Sequence, residues 1–265
     1  MDSQKVRELQ INATHVRKMA LEAVHSAGAG HPGGSLSLAD YLTYLYMVEM
    51  NVNPKDAKNP DRDRFVLSKG HCSPALYGVL AEAGFIPKED IKGFRSIDSY
   101  LQGHPDMKKV NGVDMSTGSL GQGISAACGM AIAGKLDGKD YRVYTALGDG
   151  EIEEGQVWEA AMFAAHYKLD NLTAYLDFNG LQIDGDITKV INIDAHDFNQ
   201  IEAAVNEAKA TKGKPTMIIG KSIKGKGVSF MEGQAAWHGT APNDEQYAQA
   251  ISELDAYLES LGGNE

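Results

Sequence analysis

Apolar residues at Val6, Leu9, Ala13, Val16, Ala20 and Ala23 recur three and four positions apart, which predicts an opening helix with one apolar face. The run Gly28-Ala29-Gly30-His31-Pro32-Gly33-Gly34-Ser35 breaks it, and Ser37 is placed to cap a second helix through Asp40 to Glu49. Pro54 to Asp63 reads as polar loop. Phe65-Val66-Leu67 is a short apolar strand that runs into Ser68-Lys69-Gly70-His71. From Ser73 the helical period returns until Gly84 ends it. Ile91 to Gln102 fits neither period and delivers Gly103-His104-Pro105. Ile124 to Leu136 is helical and built of small residues, as a helix packed tightly on a sheet would be.

In the second half, Arg142 to Leu147 reads as a buried strand, Gly155 to Lys168 as a helix and Leu172 to Asp177 as a second strand. Phe198 to Lys212 is helical, Pro215 to Gly220 is a short strand, and Ile223 to Gly227 is a flexible loop. A final amphipathic helix, Asp244 to Leu261, ends at Gly262-Gly263. Strands alternating with helices, without repeats or a low-complexity linker, predict an α/β fold. Its expected form is a doubly wound, mostly parallel sheet with helices on both faces, as a single domain over residues 1–265.

Composition narrows the function. A formal charge of −11 argues against nucleic acid as a partner, which calls for a basic surface. No apolar run approaches the roughly 18 residues of a membrane span, and the charged start Met1-Asp2-Ser3-Gln4-Lys5 has no signal-peptide pattern, so a cytoplasmic protein is expected. The two cysteines, Cys72 and Cys128, are far apart and are expected as reduced packing residues.

The chemistry centres on Gly148-Asp149-Gly150 and on Asn179. About thirty residues lie between the aspartate and the asparagine, the length of one βαβ crossover, so both side chains should emerge at the carboxyl ends of neighbouring parallel strands. Asp149, Asn179 and a backbone carbonyl such as that of Leu181 form a hard, oxygen-only set suited to Mg²⁺ or Ca²⁺. That set is too small to fill the coordination sphere, and diphosphate oxygens are the natural complement. Taken alone, Gly-Asp-Gly is more often a plain turn; the paired spacing to Asn179 and the flanking words reverse that. Four histidines, His31, His71, His104 and His238, stand next to glycine in loops, where they are free to face a ligand, whereas His15, His25 and His166 fall inside helical patterns.

The run Gly148-Asp149-Gly150-Glu151-Ile152-Glu153-Glu154-Gly155-Gln156-Val157-Trp158-Glu159-Ala160-Ala161, continued by Asn179-Gly180-Leu181-Gln182-Ile183-Asp184-Gly185, resembles the thiamine-diphosphate motif as transketolases carry it. Gly30-His31-Pro32-Gly33, Ser68-Lys69-Gly70-His71, Gly103-His104-Pro105 and Trp237-His238-Gly239 are similar to words of the same family. One departure is Phe178, where many members have a second asparagine. The resemblance implies thiamine diphosphate with Mg²⁺ or Ca²⁺ at Asp149, Asn179 and Leu181, and His71 at the diphosphate. It further implies His31, His104 and His238 at substrate hydroxyls, with His238 also in reach of the diphosphate. Gly150 belongs to the diphosphate motif, and Gly118, Ser119 and Leu120 resemble the segment beside the aminopyrimidine ring. Lys224 matches a lysine near the cofactor in some members. Glu154 and Glu159 resemble glutamates at the family's subunit interface; acidic residues opening a helix are the plainer reading of both.

What the resemblance implies as a whole is the amino-terminal half of a split transketolase, moving a two-carbon unit between sugar phosphates of the pentose phosphate type. In the family a pyrimidine-binding domain supplies the glutamate that activates the cofactor, and no stretch of this chain resembles it. A carboxy-terminal partner subunit is therefore expected, together with self-association into a heterotetramer. Two other readings stand beside it: a subunit of a 2-oxo acid dehydrogenase type of enzyme, and a non-catalytic cofactor-binding assembly module.

Overall fold

The computed structural model describes residues 1–178, 189–213 and 215–262. Five strands, β1 (Arg64–Leu67), β2 (Val143–Gly148), β3 (Leu172–Phe178), β4 (Lys189–Asp194) and β5 (Thr216–Lys221), form one sheet in the order β1-β2-β3-β5-β4. Every neighbouring pair is parallel. The sheet is doubly wound because its residues alternate between two cores. Phe65, Leu67, Tyr144, Ala146 and Tyr175 face one side, and Val66, Val143, Leu147, Leu172, Ala174 and Leu176 face the other.

The first face is covered by α1 (Ser3–Ala27), α2 (Pro32–Tyr44), α3 (Ser73–Glu82) and α6 (Phe198–Ala210); α4 (Gln122–Leu136) and α5 (Gly155–His166) cover the second. A final helix, α7 (Asp244–Ser260), opens with a capping box between Asn243 and Gln246 and packs against α1. No helix among the described residues is long and apolar enough to cross a membrane. Cys72 and Cys128 are buried and free.

Several expectations shift. The second helix begins at Pro32 inside the glycine-rich run, since proline is preorganised for the first helical turn, and Ser37 is an interior residue rather than its cap. Ser37 instead turns its hydroxyl to the Gly34 carbonyl at 3.1 Å and to the Asp177 carboxylate at 2.7 Å. The same helix widens into a π turn over Leu45–Glu49. A 3₁₀ turn, Lys88–Gly93, overlaps the start of Ile91–Gln102, and the rest of that stretch forms neither helix nor strand. β4 has no counterpart in the periodicity reading; it is an edge strand whose Asn192 and Asp194 are exposed on either side of buried Ile193, too short a pattern to stand out.

Candidate active site

Because all five strands run in parallel, their carboxyl ends share one edge of the sheet, which the loops after β1, β2 and β5 leave. The loop after β1 carries Lys69, Gly70 and His71, that after β2 carries Asp149 and Gly150, and that after β5 carries Lys224. The amino end of α2 brings His31 to the same edge. The His31 and His71 rings are 5.0 Å apart, those of His31 and His238 5.5 Å, and those of His71 and His238 5.7 Å. Lys224, only 7% exposed, lies on what the sequence suggested was a flexible loop, yet its Nζ sits 3.0 Å from His238 Nδ1.

Glycine allows this convergence. A Cβ on Gly118 would lie 3.0 Å from the His104 ring, and one on Gly70 would lie 2.7–2.8 Å from Thr117 and Gly118. The loop carrying Gly118, Ser119 and Leu120 thus touches both the His104 and the His71 segments. Ser119 is exposed and Leu120 half-buried. Asp149 is nearly buried, with Oδ1 accepting the Gly150 N–H at 2.9 Å, and space is open where a Cβ on Gly150 would stand. Glu154 is exposed at the start of α5, its Cβ against Gly121; Glu159 is exposed further along the helix. Asn179 and Leu181 lie outside the described residues.

The imidazoles are neutral. Burial and the neighbouring His71 and His238 push His31 down to about 4, and burial with the nearby Lys69 ammonium pushes His71 to about 4. His104 and His238 are lowered too, by burial first and then by Arg95 and by Lys224 respectively. His31 Nδ1 is buried without a hydrogen-bond partner. Neutral rings with spare donors and acceptors, an ammonium and a nearly buried carboxylate form a surface for a hydroxylated, anionic, metal-bearing ligand. Among the described residues no three histidine, cysteine or carboxylate side chains gather as a metal cluster. An ion at Asp149 would therefore take most of its ligands from elsewhere, as Mg²⁺ does with diphosphate and water.

Residues 7–195 and 187–256 match the model of the family described as transketolase, thiamine diphosphate binding domain. This chain belongs to that transketolase family. It is 44% identical to the 6-deoxy-6-sulfo-D-fructose transketolase subunit SqwG of Clostridium sp. (strain MSTE9), over 96% of this chain and 98% of that protein. It is 40% identical to one subunit of the apulose-4-phosphate transketolase of Phocaeicola vulgatus, over 97% of each. Against the transketolase of Mus musculus, identity is 42% over 98% of this chain, which spans only 44% of that longer protein. The crystal structure of Campylobacter jejuni transketolase superposes with a TM-score of 0.88 at 33% identity, covering 100% of this chain and 44% of that one.

In this transketolase domain the cofactor is thiamine diphosphate, and several buried charged residues at the same sheet edge are not legible as such in the sequence. Lys69, on the loop before His71, donates to Asp177 at the end of β3; both are buried, and Ser37 and Ser222 donate to the same carboxylate. Burial opposes both charges. The pairing outweighs it, holding Lys69 above and Asp177 below their ordinary values. Glu151, 1% exposed, accepts from Ser68 Oγ at 2.5 Å, from Gly121 N at 2.9 Å and from Gly148 N at 3.0 Å. Its one signal in the sequence was its place directly after Gly-Asp-Gly, and a carboxylate there reads as surface until its donors are seen.

Proposed function

We propose that this chain is the amino-terminal subunit of a two-chain transketolase that moves a two-carbon ketol unit from a ketose phosphate to an aldose phosphate. Residues 1–265 would act as one thiamine-diphosphate-binding domain. The observation that carries the reading is the meeting of His31, His71 and His238 beside Lys224, at the sheet edge that also carries Asp149. Similarity along nearly the whole chain to proteins named as transketolase subunits supports a division of the site between two chains.

Thiamine diphosphate, when bound, supplies the electron sink that lets a carbon–carbon bond next to a carbonyl break and re-form. The chain's own residues bind, orient and move protons. Asp149, with Asn179 and the Leu181 carbonyl, would hold Mg²⁺ or Ca²⁺, and Gly150 and His71 would meet the diphosphate. Gly118, Ser119 and Leu120 would lie against the pyrimidine side, and Lys224 and His238 would add charge and a hydrogen bond near the phosphates. His31, His104 and His238 would hold sugar hydroxyls. Being neutral, each ring can donate from one nitrogen and accept at the other, which suits relaying a proton to or from a hydroxyl. Glu154 would couple the site to a neighbouring subunit.

The partner would be a pyrimidine-binding carboxy-terminal chain, with two copies of each chain forming a heterotetramer in the cytoplasm and pentose-phosphate-type sugars as substrates. Exposed Met162 and Phe163 on α5 offer an apolar surface for such an assembly. The test is a turnover assay with magnesium, thiamine diphosphate, a ketose phosphate and an aldose phosphate, run on this chain with and without the partner. Activity should require both chains. Robust turnover by one chain, or turnover of a 2-oxo acid in place of the sugar, would defeat the reading.

A further inference from the structure

Behind the loop that carries Lys224 lies a chain of polar contacts, buried at its Arg17–Asp40 end and exposed where it reaches Ile223, that nothing in the proposed chemistry uses. Arg17 on α1, 5% exposed, donates through both terminal nitrogens to the Asp40 carboxylate on α2, and through Nε to the Leu36 carbonyl at 3.2 Å. Burial alone would raise the Asp40 carboxyl; Arg17 and His196 hold it down at about 2, so the pair stays charged. The far side of that carboxylate meets His196, just past the end of β4, with Nδ1 2.7 Å from Asp40 Oδ2. The other ring nitrogen, Nε2, is 3.0 Å from the backbone nitrogen of Ile223. An amide N–H can only donate, so Nε2 is the acceptor and the single ring proton sits on Nδ1, facing the carboxylate. One tautomer satisfies both contacts.

Ile223 is the residue before Lys224. The back of this loop is not packed core: Lys226 and Gly227 line a cavity of about 450 Å³ together with Arg17, Asp40, His196 and Tyr257. The loop runs into buried Val228 and Met231, and polar tethers locate its Lys224 end. One is the Gly225 N–H to the Gly33 carbonyl at 3.2 Å, another the Gly233 N–H to the Lys224 carbonyl at 2.9 Å, and the third is the bond from Ile223 to His196. The first two are backbone contacts that any side chain would allow. The third depends on a side chain, as does the Gly227 N–H to Glu232 Oε1 bond at 3.0 Å further along the loop; of these two, the His196 bond is the one made at the residue next to Lys224, and it leads back to a charged pair anchored on two helices.

We infer that His196, held in one tautomer by the Arg17–Asp40 pair, is a positioning residue that sets Lys224 in the site through the Ile223 backbone. This rests on the reading of Lys224 as a cofactor-side cation. His196 touches neither cofactor nor substrate; its effect passes through the loop, as outer hydrogen bonds orient the groups that make contact.

Two substitutions separate its two bonds. His196→Gln can set an amide oxygen where Nε2 accepts from Ile223, whereas His196→Asn reaches only towards Asp40. On the full chain, hydrogen exchange followed by mass spectrometry should show the Ile223–Gly225 amides exchanging faster in His196→Asn and close to wild type in His196→Gln. With the partner chain present, His196→Asn should weaken magnesium–thiamine diphosphate binding about tenfold, the scale of one lost hydrogen bond. His196→Gln should stay within about threefold, and His196→Asn should add under about twofold in a Lys224→Ala background, because both act on one contact. If Lys224→Ala weakens binding and His196→Asn does not, the inference fails while Lys224 keeps its place. If Lys224→Ala binds like wild type, both fall. An equal loss from His196→Asn with and without Lys224 would mark a general stability effect and overturn the positioning role.

Discussion

Glu151 Oε1 accepts the backbone N–H of Gly121 at 2.9 Å, across thirty residues of chain, while Oε2 takes the N–H of Gly148. Through these bonds and Ser68, one buried carboxylate fastens the loops bearing His71, Leu120 and Asp149 to each other. Glu151→Gln sets an amide NH₂ against a backbone N–H. The expected cost is about 1–3 kcal/mol of folding stability, read by urea unfolding, with weaker thiamine diphosphate binding alongside. Unchanged stability and unchanged binding would mean that the three loops hold their places without it.

The Lys69–Asp177 pair gives a second test. Lys69→Met leaves a buried carboxylate unpaired and should cost about 3–5 kcal/mol, whereas adding Asp177→Asn should recover part of that loss. The sign of the pH response is specific. In Lys69→Met the folded-state pKa of Asp177 rises above its unfolded value, so the variant should gain stability relative to wild type as pH falls through the carboxylate range and lose it again as pH rises. A constant gap between the two unfolding curves across that range would contradict this.

The histidine cluster predicts the opposite slope in the ligand-free protein. His31 and His71 drop from 6.5 to about 4 on folding, so between those values the unfolded chain binds protons that the folded chain does not. Their contribution is complete above pH 6.5 and is lost as pH falls towards 4. Imidazole proton resonances should show both rings neutral at pH 6; titration of both near 6.5 would refute the arrangement of the cluster.

Substitutions at the two sides of the site should separate. Asp149→Ala should abolish the metal dependence of thiamine diphosphate binding, measured by calorimetry with the partner present, because it removes the carboxylate proposed for the ion. His104→Ala should leave that binding near wild type and lower sugar turnover by the equivalent of about 1–3 kcal/mol, the range for one lost hydrogen bond. If cofactor affinity falls as far as turnover in His104→Ala, His104 belongs with the diphosphate instead.

The chain by itself determined its elements and its chemical vocabulary. A helical rhythm from Val6 to Ala23 and apolar runs at Phe65–Leu67 and Leu172–Asp177 are local patterns, and each forms where its period is strong. Histidine next to glycine was legible because loop chemistry is written in neighbouring residues. Tertiary structure alone decided which of these meet. Glu151, Lys69, Asp177 and His196 look like surface residues in a string of letters, since a carboxylate, ammonium or imidazole is ordinarily solvated. Glu151, Lys69 and Asp177 are buried, and His196 partly buried, only because the fold brings their partners, 30, 108 and 156 residues away in the chain, to the same edge. The edge strand β4 and the folded loop around Lys224 were hidden for the same reason: their order comes from hydrogen bonds to distant backbone, and no local period records it.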